Sequence, residues 1–268
     1  MSVQAVGALL RASWFQARSY RMSLVTQVFG LIITVIPLYF VATALDPSMA
    51  QAIEGEADQF FGFVLVGSVG FMLATAALTT LQSAVSGGIT NGYFESLMMT
   101  RASLPSILVG LTSYGMLLTV VRAVVFLTAG WVLGANLAWS KILPALVVMV
   151  LIVVAHMGIG LVAAALVIAF RTSAGITTMA TTISLFFGGV YYPVSEIPSW
   201  LAMIAKATPI SYGLISLRRV LIHGQSLAEV GPELSILAAM GVFTLAVGSI
   251  AIDLALRYAR KAGSLGAY

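Results

Sequence analysis

The chain has no cysteine, two histidines, and only 8% charged residues among its 268. Without cysteine there is neither a disulfide framework nor a thiolate metal site, and two histidines make a zinc centre a poor fit. The charged fraction falls far below the roughly 25% of soluble domains, while 60% of the residues are hydrophobic. Catalytic signatures are missing too. The sequence contains no G-x-x-x-x-G-K-[ST] loop to cradle nucleotide phosphates, no H-E-x-x-H, no G-x-S-x-G and no paired acids inside an apolar run. These absences exclude an autonomous ATPase and argue against an enzyme. What remains is an all-α membrane protein, read as one domain over residues 1–268.

Long apolar runs supply the spans. Residues 22–45, 60–84, 106–133, 142–170, 174–190 and 233–256 are predicted to cross the bilayer, each close to the length of about 20 residues that a helix needs. Pro37 should kink the first, and the Gly-, Ala- and Thr-rich second suits close helix packing. Ahead of them, Val3, Val6, Leu10 and Trp14 recur at helical spacing, with Arg11, Arg18 and Arg21 on another face. Residues 1–21 therefore read as an amphipathic helix lying in the interface. The run at 22–45 is too long for the core of a cleaved signal peptide, so it is expected to be retained.

Charge placement sets the orientation. With six spans both termini share one side, together with Arg11, Arg18, Arg21, Arg101, Arg171, Arg257, Arg260 and Lys261. The other side carries Lys141, Lys206, Arg218, Arg219 and most of the acids. Basic residues near span ends mark the cytoplasm, so both termini are expected inside a cell (inner) membrane.

Two hydrophilic segments stand out. In residues 86–105, Gly87-Gly88 should break the second helix and Asn91-Gly92 should turn. Tyr93, Phe94, Leu97 and Met98 then form the apolar face of a short helix carrying Glu95 and followed by Arg101. Such a knob fits a groove on another protein, and equally an interfacial helix on lipid. The second segment, residues 191–224 after Gly188-Gly189, is cut by Pro193, Pro198 and Pro209 into pieces too short to span. Trp200, Leu201 and Ile204 line one piece; Ile210, Leu214, Leu217 and Leu221 line the next, with Arg218 and Arg219 beside them. This reads as a broken, re-entrant helix pair on the outer side before the last span, with Pro198 and Pro209 placed for first helical turns, or else as a surface loop with one interfacial helix.

Inside the spans, Arg122 must face a partner or water, either in a structural pair or against an anionic substrate. His156 reads as a packed polar residue rather than a proton relay, and Asp253 as an i,i+4 partner of Arg257. Along the fifth span, Thr177, Thr178, Thr181, Thr182 and Ser184 give way to Phe186, Phe187, Tyr191 and Tyr192. That gradient suits a route for an amphiphile, and also fits threonines bonded back to their own helix beneath interfacial aromatics.

These parts together resemble the membrane-spanning subunits of ABC exporters of the type-2 (drug and glycan export) family. The resemblance is carried by the amphipathic start, by GGITNGYFESLMMTRASLPSILVG, and by GGVYYPVSEIPSWLAMIAKATPISYGLISLRRVLIHG before the last span. It implies that Asn91, Tyr93, Phe94, Glu95, Leu97, Met98 and Arg101 form a coupling helix docked on a dimer of separate ATP-binding subunits. No cofactor would be held by this chain, with ATP and Mg on the partner. A second permease chain, identical or different, would complete the path. Thr178, Thr181, Thr182, Phe186, Phe187 and Arg122 are its candidate lining, and Tyr191, Tyr192, Pro193, Pro198, Trp200 and Pro209 its outer gate. The expected cargo is a hydrophobic or amphiphilic small molecule such as a drug, antibiotic or lipid, with a lipid-linked glycan or polysaccharide as the alternative and an ion-driven secondary carrier behind both. Nucleic acid is not an expected partner.

Overall fold

A computed structural model describes residues 21–261 apart from 55, 93–103, 171 and 173. The expected interfacial helix over 1–21 lies outside these residues except for Arg21. Within the described residues every regular element is helical: α1 (Arg21–Met49), α2 (Phe60–Thr90), α3 (Leu104–Val132), α4 (Ile142–Phe170), α5 (Ala174–Phe187), α6 (Ser199–Ala207), α7 (Pro209–Leu221) and α8 (Gly231–Lys261). Short 3₁₀ turns cover Trp139–Lys141 and Val194–Glu196. Five of the helices are long and apolar enough to cross a membrane, and the α6–α7 pair, bent by 85°, raises the number to six if taken as one span. The chain is a multi-pass, all-α membrane protein.

The core is built on α2 and α4. Helix α4 packs on α2 along one side and on α8 along the other, while α1 and α3 pack on α2 from outside. Backbone approach through glycine explains the tightness. A Cβ on Gly158 would lie 2.2 Å from the Thr244 carbonyl carbon, one on Gly248 would lie 2.4 Å from the Gly158 oxygen, and one on Gly160 would lie 2.7 Å from the Ala77 oxygen. Lipid tails are as apolar as leucine, so helices in a membrane gain from close packing and hydrogen bonds rather than from leaving water. The Thr244 hydroxyl adds such a bond, donating to the Ala155 carbonyl at 2.8 Å.

Several boundaries differ from expectation. Gly87-Gly88 does not break α2, which continues to Thr90. The Thr90 hydroxyl bonds the Ser86 carbonyl, and a glycine pair costs a helix only about 1 kcal/mol per residue, too little to end one. The stop comes at Asn91-Gly92, where Gly92 takes φ +73°. Helix α1, with Pro37 inside it as expected, extends past residue 45 and Pro47 to Met49. The fifth predicted span is helical for only 14 residues. At 1.5 Å per residue that is about 21 Å, short of the roughly 30 Å hydrocarbon core. The chain after it turns through Gly188-Gly189 and folds back as the bent pair, which shares the task of filling this part of the membrane.

These contacts set opposite expectations for two glycines. Gly158→Val should lower the thermal midpoint of the purified protein in detergent by driving α4 from α8. Gly87→Ala, with open space at its Cβ position, should raise stability by up to about 1 kcal/mol.

Candidate functional site

One end of the bundle is organised by Arg218. Positions 210, 214, 217 and 221 of α7 are buried as their spacing predicts, at 0 to 1% exposure. Arg218, at the edge of that stripe, is buried with them at 2%. Its guanidinium lies over the Phe63 ring, 3.4 Å from the centroid. Nη2 donates to the carbonyls of Gly189 (2.7 Å), Val190 (3.2 Å) and Phe63 (3.3 Å), and Nη1 meets Glu56 Oε2 at 3.1 Å. One side chain thus joins the acidic loop between α1 and α2, which carries Glu54, Glu56 and Asp58, to the start of α2, the turn after α5 and the end of α7. The fit depends on two glycines. Gly189 holds φ +75°, and a Cβ on Gly67 would stand 2.2 Å from the Val190 oxygen and 2.8 Å from Arg218 Nη2. A buried cation is tolerable only when paired and hydrogen-bonded on all sides, which this clasp provides.

Arg219, the next residue of α7, makes a second tie. It meets Glu233 at 2.6 Å on the first turn of α8 and Gln225 Oε1 at 2.7 Å. In the link between them, Glu229 accepts bonds from the Ser226 amide (2.6 Å) and hydroxyl (2.7 Å), which hold its carboxyl below the ordinary carboxylate range. Together the two arginines anchor α7 to both neighbours. Neither role is visible from spacing, because Glu56 lies 162 residues away from Arg218. The only sequence signal is the Arg-Arg pair at the end of an amphipathic stretch.

The junction between α6 and α7 is set by hydroxyls. Thr208 Oγ1 donates to the Ala205 carbonyl at 2.7 Å and lies 2.8 Å from Ser211 Oγ, which itself donates to Ala205 O at 2.8 Å. Pro209 occupies the first position of α7 and is buried, whereas Pro198 precedes α6 as its exposed cap. Among the other expected gate residues, Pro193 is buried and Tyr192 bonds through its hydroxyl to the Phe186 carbonyl. Tyr191 and Trp200 are exposed, Trp200 at 74%. The apolar face of α6 thus points away from its own chain, where lipid or another protein would cover it.

The expected path residues divide. Thr178, Thr182 and Phe186 recur every fourth residue on the exposed face of α5, with Thr181 and Phe187 half-buried at its sides. Thr177 and Ser184 turn inward. Arg122 is not with them. It lies on α3, which packs on α1 and α2, and donates to the Gln27 side chain of α1. This is the structural pairing among the two readings of that arginine. His156 is fully buried on α4, its Nδ1 donating to the Ile152 carbonyl at 2.8 Å. Asp253 forms no ion pair with Arg257; the ion pairs among the described residues are Arg218–Glu56 and Arg219–Glu233. An i,i+4 contact is worth only about 0.3–0.5 kcal/mol, too little to order two exposed side chains. Of the expected coupling residues, Asn91 caps α2 with its amide 2.9 Å from Gly87 O. Tyr93, Phe94, Glu95, Leu97, Met98 and Arg101 lie outside the described residues.

Comparison with protein families gives a match over residues 4–222 to the model described as ABC-2 type transporter. No curated protein matches the chain.

The clasp and the link respond differently to change. Arg218→Gln should destabilise the protein by about 3–5 kcal/mol, measured by chemical unfolding in mixed micelles. Glu56→Gln should cost a similar amount, because it leaves the buried guanidinium without its counter-charge. For Glu229, a depressed carboxyl pKa contributes stability that is present at neutral pH and lost as pH falls through the folded-state value. Hydrogen exchange at the Ser226 amide should therefore speed up, relative to its intrinsic rate, on acidification in the native chain and show no such change in Glu229→Gln.

Proposed function

The chain belongs to the ABC-2 type transporter family, and on that premise we propose that two permease chains, identical or different, form an export path for a hydrophobic or amphiphilic small molecule. As a member of that family it is the membrane-spanning component of an ATP-driven exporter. The power comes from a pair of separate ATP-binding subunits, which hold the ATP and Mg. The observation that carries the cargo reading is the exposed line of Thr178, Thr182 and Phe186 on α5, a face of hydroxyls and an aromatic ring with no fixed charge. Small molecules are bound by mostly apolar walls with a few polar groups. Arg122, engaged with Gln27, adds no cationic stripe to that face, which favours an amphiphile over a long anionic polysaccharide.

In this reading both termini are cytoplasmic in the inner membrane, and residues 86–105 carry the coupling helix between α2 and α3. Glu95 and the apolar face of Tyr93, Phe94, Leu97 and Met98 dock on the ATP-binding subunit. The bent α6–α7 pair, with Tyr191, Tyr192 and Trp200, caps the outer mouth. Because Arg218 fastens α7 to α2 and to the turn after α5, the cap moves as one body with them. Opening then occurs between the two permease chains rather than inside either.

Reconstitution in liposomes with the cognate ATP-binding subunit tests this. Export of an amphiphilic dye should need both ATP and that subunit, and removal of residues 93–98 should abolish coupling, with Glu95→Ala weakening it several-fold. Uptake driven by a proton gradient without ATP would instead identify a secondary carrier.

A further inference from the structure

A cleft of about 280 Å³ opens among α2, α3, α4 and α8, away from the exposed face of α5. Its apolar wall includes Leu81, Met157 and Leu161, and its polar groups are Thr112, Ser249 and Asp253. The chemistry of those three groups is one-sided. The Thr112 hydroxyl donates to the Leu108 carbonyl at 2.9 Å, and the Ser249 hydroxyl donates to the Leu245 carbonyl at 2.7 Å. Each has spent its only hydrogen inside its own helix, so what it can offer a ligand is a lone pair. The Asp253 carboxylate also accepts. Among the described residues the cleft therefore presents three acceptors and no side-chain donor, with one negative charge.

Depth adds a second constraint. Asp253 lies 20 residues after Glu233 on the continuous helix α8, a rise of about 30 Å. That equals the hydrocarbon thickness, so with Glu233 at one boundary Asp253 sits at the other, and the cleft runs from it into the bilayer. A ligand would keep its polar end at the headgroup level and its apolar part among Leu81, Met157 and Leu161.

We infer that this cleft binds an ammonium-bearing amphiphile, its N–H groups donating to Asp253, Ser249 and Thr112. An anionic headgroup would meet the Asp253 carboxylate, and a purely acceptor headgroup would meet only lone pairs. At about 280 Å³ the cleft is at the small end of sites for drug-sized molecules, roughly 300–1,000 Å³, and takes a single chain or one part of a ring system. The ammonium can belong to a soluble amphiphile or to an ethanolamine headgroup of the membrane. That the ligand is cargo rests on the export reading above; that it binds here does not.

Monodansylcadaverine, a fluorescent primary amine, tests the site by titration into the purified chain in phosphatidylcholine nanodiscs without any ATP-binding subunit. Saturable fluorescence enhancement is expected. The N-acetylated probe, which has the same fluorophore and no charge, should bind at least fivefold more weakly, and so should the amine to Asp253→Asn. Arg257→Gln, which removes a neighbouring positive charge while keeping Asp253, should bind at least as tightly as the native chain. Replacing part of the lipid with phosphatidylethanolamine should weaken probe binding if the lipid is the natural occupant, and leave it unchanged if a soluble amine is. Equal binding of the amine and its acetylated form, or native affinity in Asp253→Asn, would overturn the proposal. Binding that persists where ATP-driven export fails would overturn the export reading instead.

Discussion

A guanidinium buried at one end of a membrane bundle constrains everything around it. Left unpaired it would cost several kcal/mol, so three carbonyls, a carboxylate and an aromatic ring are gathered about Arg218. Gathering them fixes the path of the chain. The acidic loop must fold back so that Glu56 reaches the site, Gly189 must turn with positive φ, and residue 67 must lack a side chain. The burial of Ile53 and Ala57 in the same loop follows from that return. A short helix that cannot span on its own is thereby held at membrane depth on protein, the condition under which irregular backbone is tolerated there.

Below this clasp the bundle is held by a different device. Helix α4 meets α8 at Gly158 and Gly248, and α2 at Gly160, with backbone atoms in direct contact. The result is a closely packed centre of α2 and α4, with α1, α3 and α8 less enclosed. The proposed export path falls on α5 and α6. The hydroxyl-bearing face of α5 and the apolar face of α6 are uncovered within one chain, as surfaces that meet a second permease or its cargo would be. The acceptor-lined cleft at Asp253 opens on the opposite leaflet, beside α3.

Five of the six predicted spans were legible because twenty-residue apolar runs have few alternatives, whereas the run at 174–190 is helical for only 14 residues. The burial of Ile210, Leu214, Leu217 and Leu221 also followed from periodicity alone. Arg218 did not. One position from that stripe, it reads as a rim cation, and its burial depends on Glu56 and on backbone oxygens far away in sequence. The continuation of α2 through Gly87-Gly88 was missed for a related reason: local propensity is weak beside the continuity of a buried helix. Asp253 was assigned to Arg257 by spacing, and only the arrangement of four helices reveals the cleft that it borders. Arg122 could be narrowed to two roles from sequence, and its proximity to Gln27 selects the structural one.

The central claim is that α7, the acidic loop and α2 move as one body while the exporter cycles. The absence of cysteine makes this directly measurable. Spin labels on cysteines introduced at Asp58 and His223, both exposed, report the separation of the acidic loop from the end of α7 within one chain. In the assembled transporter the distance distribution should be the same without nucleotide and with ATP trapped. A second, longer distance appearing with ATP would show that the clasp opens inside the chain and would contradict the account.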